Sequence, residues 1–140
     1  MAQSISLRPP HLTAVALVVI LWHATLAADY LNLRFALAEG WPGVMALFPI
    51  GPLWVDVAWA MGVWLGLAGA LFLMLRDDAA VLLLFAAATA MLAAMGGLAT
   101  MLSPEALMAM PMAALIPLLV LMPLVGWLYA RGLKRRGALR

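Results

Sequence analysis

LWVDVAWAMGVWLGLAGALFLMLRDDAAVLLLFAAATAMLAAMGGLATML, residues 53–102, decides the fold. Two apolar runs, 53–75 and 79–102, flank the polar triplet Arg76-Asp77-Asp78. A bilayer core of ~30 Å takes about 20 apolar residues of helix. Each run meets that length without the apolar/polar alternation of a barrel strand. With no water in a bilayer core, every backbone N–H and C=O needs an internal partner, which a helix supplies. The triplet is too short for anything but a turn, so the two runs predict a tight antiparallel hairpin.

Working outward, two further runs qualify: 12–33 before the hairpin and 110–130 after it. The expectation is all-α, an integral membrane bundle of four transmembrane helices forming a single domain over residues 1–140, with a basic tail at 131–140. Composition agrees. Of the 140 residues, 68% are hydrophobic and 10% charged, where a soluble domain carries roughly 25% charged. The connection between the first two spans holds Gly40, Trp41, Pro42, Gly43, Pro49, Gly51 and Pro52, which excludes a continuous helix. Ser103-Pro104-Glu105 reads as an N-cap, a first-position proline and a first-turn acid. It predicts a short interfacial helix, 104–110, ahead of the last span.

Orientation follows from Lys and Arg. Five of the eight basic residues lie in the tail: Arg131, Lys134, Arg135, Arg136 and Arg140. With both termini in the cytoplasm, Arg8 and Arg76 join them inside and only Arg34 is left outside. Trp54 then falls near the outer interface, and Trp127 and Tyr129 near the inner one. The tail cations, Arg131, Lys134, Arg135 and Arg136 among them, are expected to contact lipid headgroups, not nucleic acid. Arg8 followed by an apolar run and Ala24-Thr25-Leu26-Ala27-Ala28 also has the outline of a cleavable signal peptide. The run continues past that site to Leu33, which favours a retained helix in a bacterial inner membrane.

Small residues recur every fourth position in the second span, at Ala58, Gly62, Gly66 and Ala70. That spacing lets a partner backbone approach closely. The third span carries Ala86, Ala90 and Ala94, with Ala93 and Gly97 alongside. The two stripes are expected to meet across the hairpin; the other reading makes the glycine stripe a docking face for a second copy or another membrane protein. Pro111, Pro117 and Pro123 punctuate the last span, as kinks re-satisfied by neighbours or as a hinge lining a path.

Ionisable residues inside a membrane are costly and mark candidate sites. Here they are His23, Asp29, Arg34 and Asp56. A rise of ~1.5 Å per residue puts His23 near the midplane and Asp29 ~9 Å further out, level with Asp56. Arg34 lies at the outer interface. A polar cluster of Asp29, Asp56 and Arg34, with Asn32 nearby, is predicted. It either stitches the first span to the second or holds a proton or small solute. His23 is expected to bond a neighbour; a haem shared between two copies is the weaker reading. Met108, Met110 and Met112, with Met101, form a soft sulfur run that suits filling as well as Cu(I).

The chain has no cysteine, which excludes thiolate chemistry and cysteine-ligated metals. No phosphate loop, zinc-type His pair or Ser/His/Asp set is visible. No catalysis, cofactor or metal is expected. The partners anticipated are the bilayer, further copies and other membrane proteins.

Pro52-Leu53-Trp54, Ala58-Trp59-Ala60, Gly66, Gly69, Leu73-Met74-Leu75-Arg76 and Leu84-Phe85 together resemble a family of small four-helix bacterial inner-membrane proteins, often labelled sugar transporters. The resemblance runs from Pro52 onward. Relatives carry a more charged first connection, and a Gln-Met pair where this chain has Ala94-Met95. The label implies transport but carries over no site residue. The small sugar transporters of three-helix units have a Pro-Gln motif, and the only Gln here is Gln3. The four-helix multidrug exporters use a Glu in their first helix, and none occurs there. Two functional expectations result: a non-enzymatic accessory or scaffold subunit, or an oligomeric transporter or channel for a small solute or protons.

Overall fold

A computed structural model describes residues 9–41, 43–45, 48, 51–108 and 115–140. Arg8, Pro42, Pro49, Met110, Pro111 and Met112 lie outside them, as does the predicted start of the last span. The described residues hold five helices and no strand: α1 (Leu12–Phe35), α2 (Leu53–Leu75), α3 (Ala79–Ala99), α4 (Pro104–Met108) and α5 (Ile116–Arg135). All except α4 are long and apolar enough to cross a membrane.

The helix ends follow from local chemistry. α1 stops where Ala36 turns left-handed, at φ 49°. There the Ala36 N–H reaches Asn32 O at 2.8 Å, and Asn32 Oδ1 accepts the Ala38 N–H at 2.7 Å. α2 closes with the paired reverse bonds of a Schellman motif, Arg76 N–H to Leu73 O and Asp77 N–H to Phe72 O, at 3.1 and 2.9 Å. Its left-handed residue, normally glycine, is Arg76 at φ 66°. Asp77 Oδ1 then accepts the Ala79 N–H at 2.8 Å and starts α3. α3 ends at Ala99 rather than 102: the Thr100 hydroxyl takes Gly97 O at 2.7 Å, although the Leu102 N–H still reaches Leu98 O. Ser103 Oγ caps α4 by accepting the Ala106 N–H at 3.2 Å.

The last helix differs most from expectation. It begins at Ile116, with Pro117 in its first turn, and runs five residues beyond the predicted end. Arg131, Lys134 and Arg135 are therefore helical, and the basic segment is not a free tail. A second Schellman motif at Gly137 (φ 66°) ends it. The chain then turns back, and Arg140 pairs with the α2–α3 turn: its N–H donates to Arg76 O and its main-chain oxygen accepts from Asp78 N–H, each at 2.9 Å. Ala138 and Leu139 are buried beneath that pairing.

α2 and α3 form the most intimate pair; α1 packs mainly on α2, and α5 mainly on α3. At the Arg76 end all four long helices meet, around Leu12, Ala16, Leu73, Leu84 and Leu133. Toward the other end the core is Leu26, Val55, Trp59, Met91 and Leu98, roofed by Val44, Met45 and Phe48 of the first connection. Leu119 is the buried residue that α5 contributes there.

Glycines set the helix separations. A Cβ at Gly62 would lie 2.9 Å from Met91 Cε and 3.3 Å from the Met91 N, and one at Gly69 would lie 3.0 Å from the Leu84 N. Both face α3. The matching face of α3 is Ala80, Leu84, Ala87, Met91 and Ala94, all fully buried. Of the expected alanine stripe only Ala94 belongs to this face; Ala86 is half-buried and Ala93 exposed, and a methionine and a leucine, not alanines, fill the glycine notches.

Candidate functional site

The candidate residues lie on the facing sides of α1 and α2 and on the loop between them. His23 is fully buried. Its Nδ1 lies 2.9 Å from Val19 O, one turn earlier. A carbonyl only accepts, so Nδ1 carries the proton and Nε2 presents a lone pair in the neutral ring. That edge of the ring lies on Gly66: a Cβ there would fall on His23 Cδ2 and Nε2. Nε2 has no hydrogen-bond partner among the described residues. Gly66 thus faces α1, while Gly62, one turn away, faces α3. The stripe Gly62, Gly66, Ala70 is buried within the single chain, with Ala58 half-buried.

Asp29 is 4% exposed. Its Oδ2 accepts the Met45 N–H at 3.0 Å, and a side chain at Gly43 would overlap Oδ1. The carboxylate therefore ties the first connection down onto α1. Gly43 was legible only as a helix breaker. Nothing in a sequence tells that a carboxylate fourteen residues back needs its missing side chain.

Arg34 and Asp56 meet at 3.6 Å, with side chains 47% and 34% exposed. The pair joins the last turn of α1 to the first turn of α2, where each charge also suits its helix dipole. The Arg34 guanidinium lies 5.5 Å from the Tyr30 ring centre, and Tyr30 packs edge-on against Trp64. The four candidates thus divide into three arrangements: His23 on Gly66, Asp29 on the loop, and Arg34 with Asp56. Asn32 serves the end of α1 instead.

Two residues were missed in the sequence. The indole N–H groups of Trp22 and Trp59 are enclosed without a hydrogen-bond partner among the described residues. Trp59 is 3% exposed and packs against Phe48 of the first connection, ring centres 5.4 Å apart. The available signal was spacing: Trp59 stands two helical turns from Gly66 on the same face of α2.

At the opposite end, Lys134 Nζ pairs with Asp78 Oδ2 at 2.8 Å. Arg131 lies over Trp127 at 5.4 Å, while Arg135 and Arg136 are exposed. In the third connection Met101 and Met108 are exposed. Glu105 is held below the ordinary carboxylate range by its own backbone N–H and then by the Ser103 hydroxyl. No three of His, Asp and Glu come together as a metal-binding group among the described residues. No family model matches the chain, and neither a curated protein nor a solved structure matches it.

Proposed function

We propose that this chain is a non-enzymatic accessory or scaffold subunit of a bacterial inner membrane, crossing it four times with both termini in the cytoplasm. It associates with other membrane proteins or with further copies of itself. The observation that carries the reading is the commitment of Asp29. The most buried carboxylate bonds the backbone of the first connection. Arg34 and Asp56 likewise join α1 to α2. Polar groups that a transporter would devote to a passing solute here hold the bundle together. The resemblance to the small four-helix family is part of this proposal, without its transport label. Since Gly62 and Gly66 are covered from within, partners are met on the outward faces of the helices. Mild extraction from native membranes followed by native mass spectrometry tests the reading. A fixed-ratio complex is expected. A lone chain that drives proton-coupled uptake after reconstitution would overturn it.

One observation favours the alternative, a proton-linked transporter or channel acting as an oligomer. His23 Nε2 is buried at mid-helix without a partner among the described residues, and ionisable groups at such depth recur in proton relays. Uptake that is abolished by His23→Gln, with the fold retained, would favour that reading.

A further inference from the structure

We propose that His23 is a proton-operated latch on the seam between α1 and α2. The closed seam accepts only the neutral imidazole, and a proton taken from solvent at Nε2 releases α1 from α2. The inference concerns contacts within one chain and holds whichever function the chain performs.

Both ring nitrogens are committed in the closed seam. Nδ1 donates to Val19 O at 2.9 Å, a carbonyl of its own helix. Nε2 lies on the bare backbone of Gly66, so close that a Cβ there would overlap it. It is enclosed, with no hydrogen-bond partner among the described residues. A neutral ring tolerates this, because a lone pair can rest against a Cα–H. Imidazolium carries a second N–H, and here that N–H would point at a glycine with no acceptor in reach. A buried cation without a partner is among the costliest arrangements in a protein.

No neighbouring charge compensates. The one ionisable residue of α2 is Asp56, ten residues from Gly66 and paired with Arg34. α3 has none. α5 carries Tyr129, Arg131, Lys134 and Arg135, all in its last two turns. On α1 itself, Asp29 is bonded to the Met45 N–H and Tyr30 packs on Trp64. The seam can therefore accommodate the proton only by opening. A displacement of about 3 Å admits one water as acceptor for the Nε2 N–H. α1 is the element that moves: it packs mainly on α2, and its departure leaves the more intimate α2–α3 pair whole. Proton-driven opening of this kind is the usual work of histidine switches.

The chain has no cysteine, so Leu21→Cys with Leu71→Cys, both at exposed positions, puts one spin label on α1 and one on α2. Pulsed EPR distances are read from the full chain in lipid nanodiscs between about pH 8 and 5, the range in which imidazole titrates. A second, longer distance is expected as pH falls. Its ratio to the short one should rise by up to about tenfold per pH unit, the limit for one proton. His23→Gln should hold the short distance throughout. A pH response that survives in His23→Gln would overturn the proposal and assign the movement to other groups. Should that variant fail to pack, imidazole ¹⁵N NMR of a His11→Gln chain, in which His23 is the one histidine left, gives an independent reading. The ring charge and the long distance are expected to appear over the same pH range. A ring that gains its proton while the short distance persists, or that stays neutral throughout with the distance unchanged, would overturn the latch.

Discussion

The imidazole of His23 lies on the bare backbone of Gly66, with its Nδ1 bonded to Val19 O and its Nε2 edge against the glycine. This contact sets how closely α1 approaches α2. Gly66→Ala has no room and must push the helices apart, at about 1–3 kcal/mol for overpacking. Thermal unfolding in detergent should show the loss. His23→Ala in the same chain should return part of it, because the smaller side chain frees the space the new methyl needs. An additive double variant would show that the contact is not the determinant.

Asp29 governs the first connection. Asp29→Ala leaves the half-buried Met45 N–H without its acceptor, a cost of about 1 kcal/mol, the low end for an unpaired donor. Limited proteolysis within 40–51 should accelerate, with the helices still protected. Asp29→Asn keeps an oxygen acceptor and should be milder. Gly43→Ala should mimic Asp29→Ala, since any side chain there displaces the carboxylate.

The Arg34–Asp56 pair is too exposed to matter much to stability. A double-mutant cycle with Arg34→Gln and Asp56→Asn should give a coupling of about 1 kcal/mol or less, shrinking as salt is raised. A larger, salt-independent coupling would mean that the pair is shielded by something more than its neighbours in the bundle.

Glu105 offers a pH test outside the spans. Its folded value is depressed by its own N–H and the Ser103 hydroxyl. A depressed carboxylate stabilises the start of α4 above its unfolded pKa, and that contribution disappears as pH falls through the folded value. Carboxyl NMR titration should find Glu105 below an ordinary glutamate, and Ser103→Ala should move it upward. No movement in the variant would remove Ser103 as a cause.

Gly137 sits at φ 66° in the motif that turns the chain back onto the hairpin. Gly137→Ala should cost about 1 kcal/mol, because a left-handed residue with a Cβ is strained. Hydrogen exchange at Arg140, whose N–H is bonded to Arg76 O, should speed up first. Arg76 occupies the same conformation without being glycine, and its guanidinium bonds to Ala138 O offset that strain.

The helices themselves were legible. Apolar run length, the Arg76-Asp77-Asp78 turn and the Ser103-Pro104 cap are local signals, and they place the four long helices and the short one. The ends were less so. The last helix runs into the basic segment because Leu133, Ala138 and Leu139 find burial against the hairpin, and that contact is not local. The polar residues were legible as a set but not as a site. Depth along a helix is readable at a constant rise per residue, whereas the azimuth that sends Asp29 to a loop and Asp56 to Arg34 depends on how α1 and α2 are rotated against each other.

The sequence alone therefore determined that the chain is helical, which segments are apolar enough to span a bilayer, and which few side chains are expensive to enclose. Only the tertiary structure decided that Gly66 receives His23 while Gly62 receives Met91, and that the cationic segment folds back on Arg76. The reason is physical. Backbone pairing and run length are set within a turn or two of chain, while the partner of a notch or a charge is set by packing between segments that no local rule relates.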